Sequence, residues 1–183
     1  IPFCAISVAR LGPDNEDSFG IVYNPLTEQL FSSLMEDGVY ENEHITNLTA
    51  ESLGGKIVVT IGRSRKEPWM QPAAFEIQKN VGLKFGRCMP YNCAALELAY
   101  LSAGRIDGFI TFGLNTYDYA AGLYLVKAAG GMISVFENGE WNCWEQSLRE
   151  LCSEHGRTIF ASHPDIHCEI RDFIGDPKKW ADD

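Results

Sequence analysis

The chain has 183 residues, of which 45% are hydrophobic and 22% charged, and its formal net charge is −10. That composition is ordinary for a globular domain and the length suffices for a buried core, so one domain spanning 1–183 without an internal boundary is expected. The acidic balance argues against nucleic acid as a partner, since phosphate backbones require a basic footprint, and no apolar run is long enough to span a membrane.

In chain order, Phe3 to Ala9 alternates like a strand. Ser18 to Tyr23 and Gln29 to Leu34 form a hairpin about Asn24-Pro25, and Val39 to Glu41 with His44 to Thr46 continue the meander. The β-branched run Lys56 to Ile61 predicts a buried strand, followed by a basic loop over 62–68. A helix is expected over Trp69 to Asn80 with Phe75 and Ile77 facing inward, and a second over Asn92 to Ser102 with Ala95, Leu98 and Ala99 on one face. A strand over 106–112 then leads into a third helix, whose small residues Ala120, Ala121 and Gly122 allow a close approach to another backbone and which Gly130-Gly131 stops. A strand over 132–136, a turn over 137–140, a strand from Thr158 to Ser162 and a helix from Pro164 to Ile174 complete a layered α/β arrangement.

The carboxylate of Asp118 lies between a strand end and a helix start, where open α/β layers place ligands. Two roles are open to it from the residues alone: an N-cap, favoured by the free amides of a first helical turn, and a ligand. Asn92 has the chemistry of a helix cap as well. The spacing Cys152-x-x-His155 with His163 and His167 is tolerable for zinc, but the strand at 158–162 separates the two pairs, so zinc is not expected. Arg63, Arg65 and Lys66 read as a solvated loop that could reach an anion. Six cysteines without a Cys-x-x-Cys pair predict free thiols in a reducing cytoplasm, and the sequon at Asn47 carries little by itself. No Gly-x-Ser-x-Gly elbow is present to support a serine nucleophile.

Three blocks in register carry a family resemblance. Tyr117-Asp118-Tyr119-Ala120-Ala121-Gly122, with Ala129-Gly130-Gly131 closing the helix, resembles the Trp-Asp-x-Ala-Ala-Gly signature of the inositol monophosphatase family. Asn92 to Gly108 is similar to its Gly-Ser-Ala-Ala helix and Ala-x-Gly-x-x-Asp exit, and Phe19 to Pro25 with Gly38 to Asn42 is similar to its early strand pair. The match runs from Ile1 to about Val135 and is looser over the last forty or so positions. The resemblance implies an α+β sandwich like that of inositol monophosphatase and fructose-1,6-bisphosphatase. It also implies a Mg²⁺-dependent phosphomonoesterase acting on a small phosphorylated alcohol or sugar, and a cytoplasmic homodimer.

By the same resemblance Asp118 is a metal ligand, and Asn92, Cys93, Ala94 and Thr111 are substrate-binding positions. The family's upstream Glu and Asp-Pro-x-Asp-Gly-Thr ligands have no counterpart here, and the chain starts without methionine. The expectation is therefore an N-terminally truncated portion with no water-activating residue of its own, inactive alone. Thr111 stands where the family has a glutamate, which places inositol phosphate in doubt as the preferred substrate. Tyr117 in place of Trp is similar to histidinol-phosphate phosphatases. The alternative class is a non-catalytic fragment or interaction domain that keeps the fold.

Overall fold

The computed structural model describes residues 4–13, 17–34, 38–46, 48, 57–62 and 66–181. Five antiparallel strands form the first sheet in the order of the chain: β1 Ile6–Arg10, β2 Phe19–Asn24, β3 Gln29–Leu34, β4 Val39–Glu41 and β5 His44–Thr46. The β2–β3 turn is set where Asn24 Oδ1 accepts the Leu26 amide at 3.0 Å. The expected strand start at Phe3, the sequon Asn47 to Thr49, Lys56, Arg63 and Arg65 lie outside the described residues.

The second sheet is mixed. Its strands β6 Ile57–Gly62, β7 Gly86–Met89, β8 Gly108–Phe112, β9 Met132–Glu137, β10 Glu140–Cys143 and β11 Thr158–Ser162 pair in the order β10-β9-β11-β8-β6-β7. Strand β6 runs parallel to both β7 and β8, while β11 is antiparallel to β8 and β9. Helices α2 Ala94–Ser102 and α3 Thr116–Ala128 lie between the two sheets. Helices α1 Met70–Phe85 and α5 Pro164–Ile174 cover the far side of the second sheet, and a short α4 Leu148–Leu151 packs beside α3.

Packing of the middle layer depends on its small residues. A Cβ on Gly122 would stand 2.4 Å from the Leu98 Cβ, so α2 and α3 touch there backbone to side chain. A Cβ on Gly20 would meet the Ala121 carbonyl at 2.8 Å, which brings β2 equally close to α3. The outer face of the first sheet carries exposed Ile6, Val8, Leu34 and Ile45.

Several elements differ from the sequence expectation. Helix α1 continues to Phe85, and its buried residues are Met70, Ala73, Ala74, Ile77 and Val81. Phe75 faces out at 48% exposure, because two residues along a 3.6-residue period carry it round to the far side from Ile77. Strand β7 follows directly from α1 because Gly86, at φ 145°, turns the chain without a loop. Strand β10 completes a hairpin through Asn138-Gly139, both at positive φ.

Candidate active site

A cavity of about 500 Å³ opens where α2 and α3 both begin. Its wall joins the start of β1 (Ala5, Ser7), the end of β6 (Gly62), the loop before α2 and the first turn of α3. Two helix N-termini facing one space leave unbonded amides there, which suits an anionic or oxygen-rich ligand. The volume is in the range of small-molecule sites.

Asp118 lines this cavity. It is the third residue of α3 rather than its cap. Asn115 takes the cap position, and its amide donates to Asp118 Oδ2 at 3.3 Å. This reciprocal arrangement fixes the carboxylate at the helix start. Lys66 Nζ donates to Asn115 Oδ1 at 2.9 Å, and Asn115 Nδ2 to Tyr117 Oη at 2.6 Å, so the basic loop reaches the rim of the site.

Asn92, Cys93 and Ala94 line the opposite wall. Helix α2 starts at Ala94, with Cys93 as its flanking residue, so Asn92 is not the cap. Asn92 instead adopts φ 62°, a left-handed conformation that Asn tolerates better than most residues. The Cys93 thiol is held above its ordinary range, chiefly by burial, with Glu97, Cys4 and Asp118 adding negative charge and the Leu96 amide opposing them. It stays protonated at neutral pH and is no thiolate nucleophile.

Sequence reasoning missed Glu97. It is fully buried and borders the cavity. Its Oε1 accepts the Tyr91 amide at 2.8 Å, while Oε2 has no hydrogen-bond partner among the described residues. Burial pushes its carboxyl up to about 7, against the backbone amides of Tyr91 and Asn92, which favour the charge. A glutamate inside the apolar run Ala94 to Leu98 was the available signal, since a helix rarely buries a charge without a use for it.

Thr111 is not brought to the cavity. Every residue of β8 is buried, and Thr111 lies against Gly62, whose added Cβ would meet Thr111 Oγ1 at 2.9 Å. Its hydroxyl has no hydrogen-bond partner among the described residues. Thr111 is not among the residues lining the cavity; on the central strand it packs directly behind Gly62, which does line it.

Strand β11 lies between Cys152 with His155 and His163 with His167. His155 bonds Thr116, His163 accepts the Asp165 amide at 3.2 Å, and Cys152 is half-buried, with desolvation pushing its thiol up to about 12. His167 is enclosed between Ser134 Oγ at 2.8 Å and Ser162 Oγ at 2.7 Å. No three His, Cys, Asp or Glu side chains converge to hold a metal ion among the described residues.

These layers form an α/β sandwich in which a carboxylate is fixed at a helix start beside a cavity. The chain belongs to the inositol monophosphatase family, whose profile matches residues 1–171. That match runs well past Val135, so the last β-strand and helix belong to the shared fold too. The chain is 36% identical over 144 residues to the Nus factor SuhB of Escherichia coli, covering 76% of this chain and 52% of that protein. It is 30% identical over 140 residues to an inositol-1-monophosphatase of Mesorhizobium japonicum, with the same coverage. An IMPase structure from Thermotoga maritima superposes with a TM-score of 0.74 at 22% identity, over 96% of this chain and 63% of that one. The chain spans about half the length of the curated relatives it matches.

Proposed function

We propose that this chain carries the alcohol-binding side of a phosphomonoesterase site, and that the full-length protein hydrolyses a small phosphorylated alcohol or sugar. The observation that carries this reading is Asp118, fixed at the start of α3 in a cavity shared with the N-terminus of α2. The name of the M. japonicum relative supports the same activity. Mg²⁺, a homodimer and a cytoplasmic setting belong to the reading through the family.

The described residues do not by themselves fit Mg²⁺, which wants about six oxygen ligands, because Asp118 is the one carboxylate placed openly at the cavity. What these residues do is bind and orient. The amides of the first turns of α2 and α3 attract phosphate and hydroxyl oxygens. Asn92 and Cys93 narrow the wall that meets the alcohol.

A second reading rests on the SuhB relatives, which are named as a Nus factor. It makes this fold an interaction domain without turnover. Phosphate release by the full-length protein from inositol, sugar, histidinol and nucleotide phosphates, with Mg²⁺ and with chelator, separates the two. Chelator-sensitive release from at least one ester is expected; no release from any ester would favour the interaction domain.

A further inference from the structure

Glu97 ties together the loop that forms one wall of the cavity. Its carboxylate Oε1 accepts the amide of Tyr91 at 2.8 Å. Its own amide donates to the Cys93 carbonyl at 3.0 Å. Between these two tethers sits Asn92, at φ 62° and lining the cavity. One residue thus holds the segment 91–93 at both ends while its middle residue is kept in a conformation that L side chains seldom adopt. A leucine in place of Glu97 would fill the same apolar surroundings, Leu96 and Leu98 being fully buried on either side. Burying a carboxylate there is costly unless the bonds it makes are needed.

We propose that Glu97 is a positioning residue that sets the substrate-facing wall Asn92–Ala94 through its hold on the Tyr91 amide. The proposal rests on the phosphomonoesterase reading and deepens it. Glu97 borders the cavity but is fully buried, and its Oε1 is occupied by the Tyr91 amide, so it acts through the wall it holds and not as a substrate contact. Its effect therefore falls on binding, through where Asn92 and the first amides of α2 stand, and little on the chemical step.

The test uses two near-isosteric variants of the full-length protein. Glu97→Met keeps the volume and removes the acceptor; Glu97→Gln keeps an acceptor for the Tyr91 amide. With the best phosphate ester found, Glu97→Met should raise KM about tenfold, the size of a lost hydrogen bond to a charged group, and leave kcat within about threefold. Glu97→Gln should restore KM to within about threefold. A fall in kcat at unchanged KM, or a Gln variant no better than Met, overturns the proposal. So does a Met variant that merely melts lower with unchanged KM, since Glu97 is then structural only. Hydrogen exchange at the Tyr91 amide reads the same tether without turnover. Exchange at least about tenfold faster in Glu97→Met and restored in Glu97→Gln supports it, and equal exchange in all three refutes it, even if no ester is hydrolysed and the phosphatase reading fails.

Discussion

His167 offers the sharpest test of the packing between the second sheet and α5. The ring is fully buried, stacks on Phe160 at 4.9 Å between centroids, and bonds a serine hydroxyl at each nitrogen. Burial lowers its ionisation from the ordinary 6.5 to about 4, with the Arg171 guanidinium adding to the shift and Asp172 opposing it. The unfolded chain therefore binds this proton more tightly than the folded one. Stability from this group is whole above pH 6.5 and is lost as pH falls toward 4. Linkage between those two values gives a loss of about 2.5 kcal/mol by pH 4.5 from this ring alone. Urea unfolding at pH 7 and pH 4.5 of the unmutated protein and of His167→Gln measures it. The variant, with no group to titrate, should lose about 2.5 kcal/mol less over that interval, once the shared carboxylates are cancelled by subtraction. An equal pH dependence in both proteins, or an NMR titration of the ring near 6.5, would refute the buried and doubly bonded state.

Gly122→Ala should destabilise the protein by about 1–3 kcal/mol, because the new methyl meets the Leu98 Cβ at 2.4 Å. Trimming Leu98 to Ala leaves that Cβ in place and should not rescue the loss; a denaturant midpoint for the single and double variants checks both statements. Thr111→Val should leave stability unchanged or raise it by up to about 1 kcal/mol, since the hydroxyl it removes is buried without a partner among the described residues. The same variant should not alter the ranking of phosphate esters, which a substrate panel would show.

Much of the fold was legible because its signals are local. Strands β3, β4, β5 and β11 and helix α5 have the bounds read from alternation, turn residues and the proline at 164. Gly122 was recognised as a close-approach residue from the run of small side chains alone, and the contact with Leu98 gives the reason. What escaped depends on neighbours distant in sequence. Strands β7 and β10 are four residues each at the sheet margins, and pairing with β6 and β9 is what makes them strands. Phe75 was placed by its hydrophobicity, whereas the helix period decides its side. In the site, the motif led to Asp118 and to the 92–94 wall. The reading of Thr111 rests on the family's glutamate at that position, and the central strand buries it behind Gly62, outside the residues that line the cavity. Glu97 was passed over because an acid in a helix reads as a solvated face until the tertiary structure buries it.

Asp118 carries the central claim, and one substitution separates its two roles. In the full-length protein, Asp118→Asn keeps the shape and an oxygen that can accept the Asn115 amide, and removes the negative charge. Phosphate release measured against Mg²⁺ concentration, with the melting temperature recorded on the same samples, is the direct measurement. A loss of turnover by a factor on the order of 10² or more, with the melting temperature unchanged, is the expected result for a carboxylate that serves the phosphoryl site. Unchanged turnover with a lowered melting temperature would show that Asp118 only closes the start of α3, and the phosphomonoesterase account of this cavity would not stand.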